Sequence, residues 1–160
     1  MQERLKQLVK HPATQLIIWI ISLQVISAVI GSFSAPGPWY YKLNRSSLTP
    51  DNWVFPVAWI SLYICLAIYG WTLWQNDNAS STTRTLFLVQ LAINYSWPLI
   101  FFKLQFVSLS LLGIAVLIII NCILVVRSIS EKITTWFLLV PYIMWLSFAY
   151  YLTNYILKHM

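Results

Sequence analysis

Charge is scarce in this chain, and it is missing where intramembrane chemistry would need it. Only 9% of the residues are Asp, Glu, Lys or Arg, against roughly 25% in soluble domains. The carboxylates Glu3, Asp51, Asp77 and Glu131 all fall at the boundaries of apolar runs. General acid–base catalysis in a membrane core therefore has no carboxylate to use. A proton or ion pump carries ionisable groups inside its spans, and none stand there. Histidine is equally sparse: His11 precedes the first apolar run and His159 follows the last. An odd number of spans puts them on opposite sides. They cannot jointly ligate a metal or a haem iron, and no Ser-His-Asp or Cys-His site can form. No metal site is expected. Cys65 and Cys122 lie deep in apolar runs, where cysteine behaves as a small apolar residue, and no disulfide is expected. The four glycines form no phosphate-cradling loop. The net charge of +6 is scattered over lysines and arginines at span ends. That pattern belongs to membrane flanks and gives no case for nucleic-acid binding.

What the chain has instead is apolar length. It is 59% hydrophobic, with a mean hydropathy of +0.72. A spanning helix takes about 20 apolar residues, and five such runs fit, at about 14–34, 53–74, 83–102, 106–126 and 133–157. The expected fold is an all-α membrane protein, a bundle of five transmembrane helices forming one domain over 1–160. The first run is too long for the apolar part of a signal peptide and no cleavage site clearly follows it, so it is read as a retained helix. The polar stretch MQERLKQLVKH before it is read as a small interfacial helix. One side of the membrane collects Arg4, Lys6, Lys10, Arg84, Arg127 and Lys132; the other collects Lys42, Arg45, Lys103 and Lys158. The positive-inside rule then favours a cytoplasmic N terminus in a multi-pass bacterial membrane protein.

The connections are short except one. WQNDNASST (74–82) is a polar turn ending in helix-capping residues. The links near 103–105 and 127–132 force antiparallel neighbours. The exception is APGPWYYKLNRSSLTPDN (35–52). Its prolines forbid one regular element, and it carries Trp39, Tyr40 and Tyr41. A loop longer than its connection requires is often a lid or binding loop, and 35–52 is read as a lid over one end of the bundle. Thr49, Asp51 and Asn52 offer caps to the second helix, and Pro56 falls in its first turn. Pro141 is expected to kink the fifth helix. Gln24, Ser27 and Gly31 share a face of the first helix that suits close packing.

Residues 90–102, QLAINYSWPLIFF, carry the strongest functional signal. Gln90, Asn94, Trp97 and Phe101 recur at helical spacing and share one stripe. A primary amide is expensive in hydrocarbon without a partner. The stripe therefore faces other helices or a cavity; interhelical glue is the bland explanation of one amide alone, and the stripe as a whole is read as a pocket wall. The chain also has nine tryptophans. Several sit at span ends, as interfacial belts require, but Trp59, Trp97 and Trp145 lie inside spans. Trp59 pairs with Tyr63 at i, i+4. Tyr142, Trp145, Ala149 and Leu152 share a face of the fifth helix, with Phe148 alongside. Indoles with a few amides suit a large, flat, mostly apolar ligand. Helix five ends in Leu152, Tyr155 and Lys158, a loose match to the L/V-x-Y-x-K/R pattern proposed for cholesterol.

Three stretches resemble the translocator protein family, the tryptophan-rich sensory or TspO/MBR proteins. WYYKLNRSSLTPDNWVFPVAWISLY (39–63) is similar to the family's loop-to-second-helix signature. QLAINYSWPLIFF resembles its third-helix motif, and PYIMWLSFAYYLTNYI (141–156) its fifth. The chain departs from the signature in the loop. Arg45-Ser46 stands for Lys-Pro, Leu48 for Trp, and Asp51 for the second proline of Thr-Pro-Pro. In helix five, Leu152-Thr153 stands for Leu-Asn, with Asn154 one place later. The resemblance implies a five-helix bundle with a ligand pocket beneath the first loop. It implies porphyrins such as protoporphyrin IX, or haem, as ligands without a resident cofactor, and in some members sterols or benzodiazepine-type compounds. It implies a pocket of Trp39, Tyr40, Trp59, Tyr63, Asn94, Trp97, Phe101, Trp145, Phe148 and Ala149, and commonly a homodimer. The expected function is tetrapyrrole handling or stress signalling. A rival is light- and oxygen-dependent porphyrin breakdown with Trp59 and Trp145 as radical partners. A third reading is a lipid or sterol carrier.

Overall fold

The computed structural model describes residues 11–160; the expected interfacial helix over 1–11 lies almost wholly outside them. Six α-helices follow in order: α1 Pro12–Phe33, the short α2 Pro38–Tyr41, α3 Val54–Gln75, α4 Ser81–Pro98, α5 Val107–Ser130 and α6 Leu139–Lys158. A π-turn, Leu99–Lys103, extends α4, and a 3₁₀ turn, Trp136–Leu138, leads into α6. With those extensions, five helices among the described residues are long and apolar enough to cross a membrane. Around the bundle the order is α1, α3, α6, α5, α4, and α4 closes back onto α1. α1 is the outermost helix, with Leu23 its one buried residue.

Three local expectations are corrected. α3 is not capped by Thr49, Asp51 or Asn52. Its N-cap is Trp53, in helical conformation and without a side-chain cap, because a turn from Asp51 to Val54 (3.0 Å) carries the chain straight into the helix. Pro141 does not kink the middle of a helix: α6 begins at Leu139, so Pro141 sits in the first turn, where no helical donor is missed. Gly31 supports no close packing, since a Cβ there would meet nothing within 4 Å. The tight glycine is Gly70. A Cβ on it would come within 2.7 Å of Phe87 and 2.8 Å of Trp19, and this is where α1, α3 and α4 converge.

Ser80 caps α4 as expected, accepting from the Thr83 N–H at 3.2 Å. The turn after α5 is a Schellman closure: Lys132 N–H donates to Ile129 O and Ile133 N–H to Ser128 O. Lys132 takes the left-handed position usually given to glycine, with φ 55°.

Candidate functional site: an aromatic interior beneath the first loop

Proline shapes the end of the third span. Pro98 has no N–H to offer the Asn94 carbonyl, and its ring crowds that turn. The backbone answers with the wider π-turn, closed by Leu104 N–H to Leu99 O at 3.0 Å. Such turns re-aim side chains and are frequent at functional sites. Here Phe101 turns inward and stacks on Trp97, with ring centroids 5.0 Å apart and planes 8° apart.

The loop closes over this pair. Trp39 and Tyr40, on α2, meet Phe101 edge-on at 5.7 and 6.1 Å. Tyr40 is buried with Phe101, Val107 and Ile156, so one loop residue seals against α4, α5 and α6 together. Ser46 ties the loop to α6 through Tyr151, hydroxyl to hydroxyl at 3.3 Å.

A second group lies between α3 and α6. Trp59 meets Trp145 edge-on at 6.4 Å and Tyr63 at 5.7 Å. Trp145 contacts Phe148 at 5.9 Å, and Ala149 packs against the same core. Trp97 packs on both groups and is held by its indole N–H, which donates to Ser110 O at 3.0 Å. A groove of about 380 Å³ runs past Trp145 and Phe148 along the outside of α3 and α6. A polar cavity of about 440 Å³ lies in the loop itself, from Leu43 to Asn52.

The amides do not act as glue. Gln90 is fully buried and neither its nitrogen nor its oxygen has a partner; the Asn94 nitrogen and the Tyr142 hydroxyl are likewise unpaired among the described residues. An unmet buried polar group costs about 1–3 kcal/mol. An amide that does bridge helices is Gln24, donating to Ile60 O at 2.8 Å.

Sequence reasoning missed Tyr95. It stacks on Tyr63 at 5.2 Å with planes 7° apart, and donates to Leu23 O at 3.0 Å. Residue 95 follows Asn94 directly and so falls about 100° off the stripe. Of the sterol-type residues, Leu152 is buried, Tyr155 stacks on His159 at 4.1 Å, and Lys158 is exposed.

The opposite end of the bundle is built differently. Glu131 Oε1 accepts from Ser80 Oγ (2.9 Å), Thr83 Oγ1 (2.7 Å) and Arg127 Nη2 (2.9 Å), and Oε2 from Ser80 N–H (3.1 Å). Arg127 also donates to Thr83 Oγ1 and Ser80 Oγ, both at 2.8 Å. Burial pushes the Glu131 carboxyl up. The hydrogen bonds from Thr83 and Ser80 and the Arg127 charge outweigh it, holding the group below the usual glutamate range.

Fold and interior together define a multi-pass membrane protein of five helices, with an aromatic, partly polar centre under one loop. The chain belongs to the TspO/MBR family, whose model matches residues 17–158. It is 35% identical to a "Tryptophan-rich protein TspO" of Chlorobaculum tepidum over 147 residues, 86% of this chain and 91% of that one. It is 34% identical to a protein of the same name from Archaeoglobus fulgidus over 123 residues, 72% and 80% of the two chains. The human "Translocator protein" is 27% identical over 123 residues, 69% of this chain and 68% of its own.

Proposed function

We propose that this protein binds tetrapyrroles, protoporphyrin IX or haem, between the loop aromatics and the rings of α3, α4 and α6, and serves porphyrin handling or stress signalling. The observation that carries the reading is the run of ring contacts from Trp39 through Phe101 to Trp97, whose indole also packs on the Trp59–Trp145 core. Large flat ligands are held by such faces. The unpaired amides of Gln90 and Asn94 supply polar partners beside them. Binding requires the loop to lift, and Trp39 and Tyr40 are the contacts that reclose. We further propose a homodimer in a bacterial membrane, with the N terminus cytoplasmic on the balance of flanking charge.

The test is titration of the purified protein with protoporphyrin IX, haem and cholesterol, read by tryptophan quenching. Saturable binding of both tetrapyrroles is expected. Saturation by cholesterol alone would replace this reading with that of a sterol carrier.

A second reading is light- and oxygen-dependent breakdown of bound porphyrin. It is favoured by the Trp59–Trp145 contact and the Tyr63–Tyr95 stack beside it, a chain of oxidisable rings. The double substitution Trp59→Phe, Trp145→Phe keeps most of the apolar surface. It should retain porphyrin binding and lose any light-driven change in the porphyrin spectrum. If the wild-type complex bleaches no differently from free porphyrin in detergent, binding alone remains.

A further inference from the structure

The polar cavity in the loop is separate chemistry from the aromatic interior. Its walls include Leu43, Arg45, Ser46, Thr49, Asp51 and Asn52. One cation and one anion thus line the same space of about 440 Å³. They do not pair with each other. Among the described residues the Asp51 side chain makes no hydrogen bond or ion pair. Among the described residues the Arg45 guanidinium has only its ring contacts, 5.2 Å from the Tyr40 centroid and 5.8 Å from Tyr41. Those contacts set the guanidinium over the two rings, and none of its N–H groups has a hydrogen-bond partner among the described residues.

The surroundings say what size and kind of group reaches the cavity. Leu48 and Trp53, on either side of Thr49–Asn52, are 61% and 65% exposed. Tyr41 is exposed as well, and exposed aromatic and apolar side chains of this kind suit the membrane–water boundary. Such neighbours suit a charged cavity at headgroup depth.

We propose that this cavity binds a phospholipid headgroup that carries both a phosphodiester and a primary ammonium, as phosphatidylethanolamine does. The guanidinium fork of Arg45 matches phosphate oxygens. Asp51, an acceptor only, takes the ammonium, and Thr49 and Asn52 complete its hydrogen bonds. A purely anionic head meets repulsion from Asp51. A trimethylated head has no N–H to give.

Native mass spectrometry of the full-length protein, released from a detergent mixture of equimolar phosphatidylethanolamine, phosphatidylglycerol and phosphatidylcholine, tests this. The expected result is retention of phosphatidylethanolamine several-fold above the other two. Arg45→Gln and Asp51→Asn should each abolish the preference, while Lys103→Gln, an exposed cation on the same membrane side outside the cavity, should keep it. A wild-type series of mono-, di- and trimethylated heads needs no variant, and retention should fall as N–H groups are lost. Equal retention of the three lipids overturns the proposal. So does a preference that survives both cavity variants. A preference for phosphatidylglycerol lost only in Arg45→Gln would make the cavity a plain anion site, and overturns it too.

Discussion

The two ends of the bundle solve the same problem, polar groups near hydrocarbon, in opposite ways. At the end holding 76–80 and 131–135, every oxygen of Glu131 is taken, and Ser80, Thr83 and Arg127 share the remaining donors. Just inside it, Tyr69 and Ser128 pair at 2.8 Å and Gly70 lets Phe87 and Trp19 meet the backbone. At the other end the loop rests on ring edges, and in the middle of the bundle the Gln90 amide and the Asn94 nitrogen lack partners among the described residues. A fully bonded carboxylate and tight backbone packing make one end a clamp, although the Thr135 hydroxyl and Arg84 Nε there have no partner among the described residues. Ring contacts are weak singly and re-form easily, which suits an end that opens. Stability should therefore reside in the clamp, and ligand affinity in the loop end.

The largest effect is expected from Gly70→Ala. Its methyl meets two rings, one of them fully buried, and overpacking of this kind costs about 1–3 kcal/mol. Thermal unfolding in detergent should show the loss, with porphyrin affinity per folded molecule unchanged. Ala149→Leu puts a comparable overfill, about 1–3 kcal/mol, at the loop end beside Trp145. There affinity should drop more than stability; the reverse outcome would make residue 149 a helix-packing position. Trp39→Ala removes one ring from the lid. A weakening of about tenfold, or 1.4 kcal/mol, is expected in porphyrin affinity, mostly as faster release and with helicity intact. Unchanged off-rates would reduce the loop to a membrane anchor.

The smallest effect concerns acid. Glu131 has a carboxyl held below its unfolded value, near 4.3 for an ordinary glutamate. Its contribution is present above that unfolded value and is lost as pH falls through the folded one. Unfolding temperature should thus decline from about pH 5 downward, and Glu131→Gln should flatten the decline while lowering stability at neutral pH. A parallel pH slope in the variant would remove Glu131 from the clamp.

The helices were legible because long apolar runs admit few alternatives, and the observed ends lie within a few residues of the sequence reading. The stripe of Gln90, Asn94, Trp97 and Phe101 was legible from its period. The clamp was not. Ser80 and Glu131 lie 51 positions apart, and as isolated residues they look like a cap and an ordinary flanking charge. The π-turn was hidden for another reason: Pro98 announces a disturbance, but only packing of Phe101 under the loop selects this form of it. Tyr95 sits off the stripe and was invisible to a one-face argument, although it stacks on Tyr63.

The division of labour between the two ends is tested most directly by one titration. Protoporphyrin IX is added to wild type, Trp39→Ala and Glu131→Gln, each measured below its unfolding temperature. The account predicts saturable binding by wild type, the same affinity for Glu131→Gln, and a clear loss for Trp39→Ala. Equal affinity in all three proteins, or a loss confined to Glu131→Gln, would contradict it.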